Sequence, residues 1–220
     1  MKNFIPVLRS CVLFDGIAND DLFAITGCLG AWVKEVKKGQ VIFSEGDSTN
    51  WIGIVLSGSI QIMKEDYNGN RTIVSLCQPA ELFAESFACA GGGVLPVSIL
   101  AAEDSSVMLI DSHRVCVSCS NACTFHSHLI QNLLKIVANK NIQFNQKIEI
   151  LSMRTTREKL LAYLNAEAKR AGNSSFTIPY DRQALADYLG VERSAMSAEI
   201  SKLRNDGIIE SEKNYFKLLI

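Results

Sequence analysis

A long stretch without a helix breaker is the feature that most constrains the fold of this chain. Positions 121–153, NACTFHSHLIQNLLKIVANKNIQFNQKIEILSM, contain neither Gly nor Pro. The apolar residues have the spacing of one helix face: Leu129, Leu133, Ile136, Val137, Phe144, Ile148 and Leu151. Because so long a helix extends beyond one small domain, we expect its apolar face to pair with a second copy of the chain. The alternative is an ordinary amphipathic helix packed on the preceding domain.

The residues before this stretch have the pattern of short β-strands. The apolar run Val41-Ile42-Phe43 lies between turns at Gly39 and Gly46, and Asn68-Gly69 separates two further strand-like runs. An Asn-Gly pair in this setting is a strong hairpin signal. Short strands with frequent Gly-centred turns predict an antiparallel barrel or roll. The predicted fold class is therefore α+β, with an antiparallel β-roll at residues 1–122, a long dimerisation helix at 123–152 and a smaller domain at 153–220.

Composition and charge exclude several classes of protein. The N-terminal sequence MKNFIPVLRSCVLF lacks the apolar run of a secretory leader, and no apolar stretch approaches the ~20 residues that span a bilayer. We therefore expect a cytoplasmic protein without a membrane partner, whose seven cysteines are thiols or metal ligands rather than structural disulfides. The net charge is −1, but residues 153–220 hold 11 Lys and Arg against 9 Asp and Glu. No P-loop or nucleophile-elbow motif indicates an enzyme.

The segment DRQALADYLGVERSAMSAEISKLR, residues 181–204, carries the most specific functional pattern. Asp181 is a favourable N-cap for a helix that ends at Gly190. A second helix over about 193–204 would bury its apolar residues and leave a polar face outward, as in a helix-turn-helix that enters the major groove. Arg193, near the start of that helix, can donate two hydrogen bonds to a guanine edge. The predicted DNA-binding residues are Arg182, Arg193, Ser194, Ser197, Ser201, Lys202, Arg204 and Lys213.

Two strand-like runs follow this segment in NDGIIESEKNYFKLLI. They predict a winged-helix hairpin with Lys213 and Asn214 at its tip, where both could contact phosphate. The alternative is a plain helical hairpin that uses the same residues for packing. The order of helix, Gly turn, helix and β-wing favours the DNA-binding interpretation.

The complete order of motifs resembles one family. A β-roll with KKGQVIFSEGD and VLSGSIQI, a long helix and a winged helix-turn-helix with RQALADYLGVERSAMS resemble the cAMP receptor protein and fumarate–nitrate reductase regulator (CRP/FNR) superfamily of bacterial transcription regulators. The resemblance implies a homodimer that binds double-stranded DNA at a two-fold symmetric site and contacts RNA polymerase. It also implies allosteric control by an effector in a roll of the cyclic-nucleotide-binding type.

The resemblance also marks a candidate effector cradle that lacks a family feature. Where cyclic-nucleotide-binding members have Gly-Glu, PAELFAES has Ala84 and Glu85, and where they have Arg-Ser, PVSILA has Val97 and Ser98. Without the bidentate Arg–phosphate contact, cAMP is not the expected effector. Glu85 and Ser98 bind another small molecule or make only local hydrogen bonds in the roll. The candidate effector residues, with two from the long helix, are Ala84, Glu85, Ser86, Val97, Ser98, Phe144 and Asn145.

A cysteine cluster offers a rival sensor. In VCVSCSNACTFHSH, Cys116, Cys119 and Cys123 precede His126 and His128. Thiolate and imidazole ligands suit Zn²⁺ or an iron–sulfur cluster, which would make the protein a redox- or metal-sensing regulator. Alternatively, these cysteines are small buried apolar residues. No other cofactor is indicated.

Overall fold

The computed structural model describes residues 4–91, 93–116 and 124–219. The chain divides into two compact units, one of Met1–Asn68 and Val74–Asn141 and the other of Gly69–Ile73 and Ile142–Ile220. The first part of the chain contains α1 (Ile5–Ser10), a 3-10 turn (Val12–Phe14), α2 (Asn19–Cys28), β1 (Trp32–Val36), β2 (Val41–Phe43), β3 (Trp51–Ser57), β4 (Ile60–Glu65), β5 (Arg71–Cys77), β6 (Leu82–Phe83), α3 (Glu85–Cys89), β7 (Ser98–Ala101), β8 (Ser105–Asp111), α4 (Ser112–Cys116) and the long α5 (Thr124–Ser152). The remainder contains α6 (Thr156–Ala171), β9 (Ser175–Thr177), α7 (Arg182–Leu189), α8 (Arg193–Asn205), β10 (Ile209–Glu212) and β11 (Tyr215–Leu218).

The first unit is built on two four-stranded sheets, in the orders β1-β8-β3-β6 and β2-β7-β4-β5. β3 pairs antiparallel with β8, and β4 with β7. The predicted Asn68-Gly69 turn connects the neighbouring strands β4 and β5, and Gly69 has a φ of 80°, which favours glycine. The predicted antiparallel roll is confirmed.

Both faces of the first sheet are buried at β3, whose alternate residues point to opposite sides of the sheet. Ile52 and Ile54 of β3 belong to a core shared with the N-terminal helices and α5. Val55 of the same strand belongs to the core between the two sheets, which also contains Phe83. Gly53 leaves the space that the Phe83 ring fills, since a Cβ at this position would overlap that ring. The continuous apolar run of β3 therefore reflects burial on both sides.

The apolar residues of α5 are divided between two uses. Leu129 and Leu133 are buried in the core of the first unit, and Ile136 and Val137 pack against it. The expectation that they face a second copy of the chain is therefore wrong for Leu129 and Leu133, because the roll covers them. Helical periodicity identified this face, but it could not identify the surface that covers it.

The second unit combines α6, α7, α8 and the C-terminal part of α5 with a three-stranded sheet in the order β10-β11-β9. Its α6 begins with a capping box, in which the Thr155 side chain accepts from the Glu158 N–H and the Glu158 carboxylate accepts from the Thr155 N–H. Lys147 of α5 is buried, donates to the carbonyl of Ile73, and places Nζ 3.9 Å from the centroid of the Tyr188 ring. Within the parts of the chain described above, no helix has both the length and the apolar content needed to cross a membrane.

Candidate functional site

The helix-turn-helix forms as its local sequence predicts. Asp181 Oδ1 accepts a 2.8 Å hydrogen bond from the Ala184 N–H and so caps α7. Gly190 ends α7 in the left-handed conformation, with a φ of 60°. Among the buried residues of α8 are the three apolar positions that the pattern predicted: Met196, Ile200 and Leu203. Glu192 makes no side-chain cap at the start of α8, as expected for this residue type.

One face of α8 is exposed and carries the predicted DNA-contacting residues Arg193, Ser194, Ser197, Ser201, Lys202 and Arg204. Lys202 pairs with Glu199 at 2.7 Å, and the Ser201 hydroxyl donates to the Ser197 carbonyl at 3.0 Å. By contrast, Arg193 forms no ion pair with any residue that the structure describes. No described acidic residue therefore neutralises its guanidinium, which leaves the group available to contact a base edge. Contact with DNA remains a prediction for this set.

Arg182, at the start of α7, packs inward more than the other predicted cations. Its guanidinium carbon lies 4.9 Å from the centroid of the Phe216 ring. Burial, together with the positive charge of Arg204, lowers the pKa of Arg182. Its Nη1 is buried without a hydrogen-bond partner among the described residues. The positive charges of Arg182 and Arg204 lie close enough to interact, and contact of Arg182 with a backbone phosphate stays a prediction.

The tip of the wing holds Lys213, which forms no ion pair with any described residue, and Asn214, whose side-chain amide makes a hydrogen bond. Lys213 is exposed in the turn between β10 and β11, with a φ of 49°. Asn214 was also expected to contact phosphate, but its Nδ2 donates to the Ile178 carbonyl at 3.2 Å, and its own carbonyl accepts from the Ile178 N–H at 2.9 Å. Asn214 therefore ties the tip of the wing to Ile178, and its contact with phosphate stays a prediction.

The candidate cradle lies where β6 leads into α3. Ala84 caps α3 in the left-handed conformation with a φ of 62°, which costs an L-residue roughly 1–2 kcal/mol. Glu85 follows with its side chain only 4% exposed. The Ser86 hydroxyl donates to Glu85 Oε1 at 3.3 Å, whereas Oε2 is buried and has no hydrogen-bond partner among the described residues. A buried carboxylate oxygen without a donor is costly, and a bound group with an N–H or O–H would satisfy it.

A lysine from α5 supplies the cation at this cradle. Lys140 Nζ lies 3.0 Å from Glu85 Oε1 and donates to the Leu82 carbonyl at 2.6 Å. Lys140 is not among the predicted cradle residues, because nothing in its local sequence indicates that it packs beside Glu85. Helix periodicity combined with the position of Glu85 could have placed a cation on this face of α5, but only once the packing of α5 was known.

The other proposed cradle residues have different surroundings. Val97 is buried in the core between the two sheets and is 7% exposed, so no cation occupies the family's arginine position. The Ser98 hydroxyl accepts from the Glu45 N–H at 3.1 Å, which is a local hydrogen bond of the roll. Phe144 and Asn145 lie in the second unit and are exposed.

The proposed cysteine cluster falls only partly within the structure. Cys119 and Cys123 lie outside the described residues. Cys116 ends α4, is exposed, and has its sulfur 3.9 Å from that of Cys89. His126 is buried; its Nε2 lies 3.2 Å from the Arg114 carbonyl. Among the residues that can be described, no three His, Cys, Asp or Glu side chains are arranged to hold a metal ion.

Both parts of the chain match known domain families. The cyclic nucleotide-binding domain family matches residues 33–115, and the Crp-like helix-turn-helix domain family matches residues 158–220. A chain with these two domains in this order is a transcription regulator with an effector-binding domain and a DNA-binding domain.

Several similar proteins are named as transcriptional activators or regulators. The chain is 24% identical to the transcriptional activator protein FnrA of Stutzerimonas stutzeri over 191 residues, which cover 84% of this chain and 76% of that protein. The structure of FixK2 from Bradyrhizobium japonicum has a TM-score of 0.68 at 21% identity and covers 86% of this chain and 93% of that one. For the c-di-GMP responsive global regulator CLP of Xanthomonas campestris, the TM-score is 0.71 at 14% identity, with coverage of 89% and 97%. The chain belongs to the CRP/FNR superfamily.

Proposed function

We propose that this protein is a homodimeric, sequence-specific DNA-binding regulator that acts in the bacterial cytoplasm, contacts RNA polymerase at its promoters and responds to a small-molecule effector other than cAMP. The exposed face of α8 carries the proposal, because it presents Arg193 without an acidic partner among the described residues. A free guanidinium at the start of a recognition helix suits bidentate contact with guanine.

Replacement of Arg193 by Ala tests the base-reading role. The operator is first selected from random duplexes, and affinity is then measured by fluorescence anisotropy on this operator and on random DNA. A lost bidentate contact is worth about 1–3 kcal/mol, so affinity for the operator should fall roughly 5- to 150-fold while that for random DNA changes little. The matched control is Lys213→Ala, which should lower the affinity for the operator and for random DNA by the same factor. Equal losses on both duplexes for Arg193→Ala would contradict base reading.

The homodimer is supported by a second apolar stripe on α5. Leu134 and Ile148 are 69% and 64% exposed, and Ile130 and Phe144 are 39% and 38% exposed. At 3.6 residues per turn these four positions fall within an arc of about 80°. A narrow apolar stripe on a long helix is typical of a helix pairing with its own copy. We expect Leu134→Glu to give monomers in sedimentation equilibrium and the exposed control Gln131→Glu to remain dimeric; a dimeric Leu134→Glu protein would contradict this interface.

The chemistry of the cradle supports an effector without a strong negative charge. Lys140 already neutralises Glu85, and Val97 contributes no cation. Glu85 Oε2 lacks a donor among the described residues, so the effector should provide a hydroxyl or amine group there. One structural neighbour is named as a c-di-GMP responsive regulator, so a protein of this fold can respond to a molecule other than cAMP.

The second candidate is a redox- or metal-sensing regulator that uses Cys116, Cys119 and Cys123. It is supported by the buried Nδ1 of His126, which has no hydrogen-bond partner among the described residues. Native mass spectrometry of protein purified without oxygen distinguishes the two. A bound organic molecule supports the first candidate, whereas bound zinc or an iron–sulfur cluster supports the second.

A further inference from the structure

Two thiols far apart in the sequence lie side by side in the first unit. Cys89 is the last residue of α3 and Cys116 is the last residue of α4. Their sulfur atoms are 3.9 Å apart, and both residues are exposed. The helices are also joined one residue before Cys89, where the Ser112 hydroxyl donates to the Ala88 carbonyl at 3.0 Å. The pair is therefore held by packing and by a buried hydrogen bond, and it is open to small reagents.

We propose that Cys89 and Cys116 form a reversible thiol–disulfide site that hydrogen peroxide oxidises. A disulfide requires a sulfur separation of about 2.05 Å, so the sulfurs must approach by less than 2 Å. Rotation of the two side chains can provide this movement without a change in the positions of the helices. Exposure gives the oxidant access, which a redox-active thiol requires.

The reaction has two balanced steps. The Cys116 thiolate attacks one oxygen of hydrogen peroxide; the O–O bond breaks, the sulfur becomes a sulfenic acid, and the other oxygen takes a proton and leaves as water. The Cys89 sulfur then attacks the sulfenic sulfur; the S–O bond breaks, and the hydroxyl leaves as water with the Cys89 proton. Two thiols lose two electrons in total, and one peroxide is reduced to two waters.

The roles of Cys89 and Cys116 can be exchanged without changing the product. Their sulfur atoms are 3.9 Å apart and both residues are exposed, so hydrogen peroxide can reach either thiol. Whichever sulfur is oxidised first, the other lies within a side-chain rotation of it and closes the disulfide with loss of water.

The disulfide would also constrain the candidate cradle. Cys89 and Glu85 are at opposite ends of the five-residue helix α3. A bond to Cys116 ties α3 to α4 and restricts any movement of Glu85 toward an effector. A resulting change in DNA affinity would rest on the proposed function, whereas formation of the disulfide does not.

The test uses the full chain, reduced and then treated with hydrogen peroxide. Digestion without reductant and tandem mass spectrometry should identify a Cys89–Cys116 linkage with a loss of 2 Da, which reducing agent reverses. Cys116→Ser and Cys89→Ser should each abolish this linkage, and the control Cys28→Ser, which removes another exposed thiol, should retain it. Retention of both thiols, or a linkage of Cys116 to any other cysteine, would overturn the proposal.

DNA affinity of the oxidised and reduced proteins is measured in parallel. We expect oxidation to change the affinity of the wild type for its operator by at least about threefold and to leave Cys89→Ser unchanged. A disulfide that forms with no change in affinity would support the redox site and overturn its coupling to DNA binding. Loss of operator binding by both reduced and oxidised protein would instead count against the proposed function.

Discussion

Replacement of Lys140 by Met is the most direct test of the ion pair at the cradle. Met keeps an unbranched side chain but removes the ammonium group 3.0 Å from Glu85 Oε1. The carboxylate would then be buried without a cation, with Oε2 already lacking a partner among the described residues. Removal of one partner of a buried pair costs about 3–5 kcal/mol. Because the Lys140 side chain is 19% exposed and water can reach the pair, we expect the lower end of this range, about 3 kcal/mol.

Urea unfolding followed by tryptophan fluorescence measures this loss of stability in the first unit, which contains Glu85 and Lys140. Both tryptophans of the chain, Trp32 and Trp51, lie in the roll with ring centroids 6.0 Å apart. Lys135→Met is the matched control, since Lys135 is an exposed lysine of the same helix and should change stability by less than about 0.5 kcal/mol.

A double-mutant cycle then separates the energy of the Glu85–Lys140 ion pair from other effects of the two substitutions on stability. Adding Glu85→Gln to Lys140→Met should recover part of the lost stability, because the uncompensated buried charge is removed. A loss below about 1 kcal/mol for Lys140→Met, or a double mutant whose loss equals the sum of the single losses, would show that the pair behaves like a surface ion pair and would refute the reasoning.

Two further predictions concern stability. Gly53→Ala should destabilise the roll by about 1–3 kcal/mol, measured as a lower Tm, because its Cβ would overlap the Phe83 ring. Gly27→Ala is the control, since open space surrounds Gly27 in α2 and the Tm should rise slightly. Burial lowers the pKa of Lys147 to about 8, so above that pH the side chain is neutral in the folded protein and takes up a proton on unfolding. The free energy of unfolding of the wild type, relative to that of Lys147→Met, should therefore rise by about 1.4 kcal/mol per pH unit from pH 8 to 10, measured by urea unfolding. A difference in the free energy of unfolding that does not change with pH would show that Lys147 does not lose its proton in the folded protein over this range.

The features predicted most completely from the sequence depend on contacts between near neighbours. The cap at Asp181 joins residues three positions apart, and the turn at Gly190 depends on its own backbone conformation. The Asn68-Gly69 hairpin is likewise specified by the residues in the turn. The helix-turn-helix and the roll could therefore be assigned from short patterns, and the family followed from their order.

The apolar positions of α5 show where such patterns stop. The spacing of Leu129 and Leu133 is compatible with a dimer seam and with packing on the roll, and only the folded unit shows that the roll covers them. Leu134, one position after Leu133, is 69% exposed. Periodicity gives the face on which a residue lies, but the surface that covers the face depends on how the helix crosses the sheet.

The sequence by itself determined the helices α5, α7 and α8, the turns at Gly69 and Gly190, the polar face of α8 and the presence of an uncharged residue at Val97. Only the tertiary structure placed Lys140 against Glu85 and Cys89 beside Cys116, whose contact joins positions 27 apart. Caps and turns are decided by local dihedral preferences and by hydrogen bonds within a few residues. Contacts between distant residues exist only after the sheets and α5 have packed, because burial of apolar surface then determines which polar side chains meet.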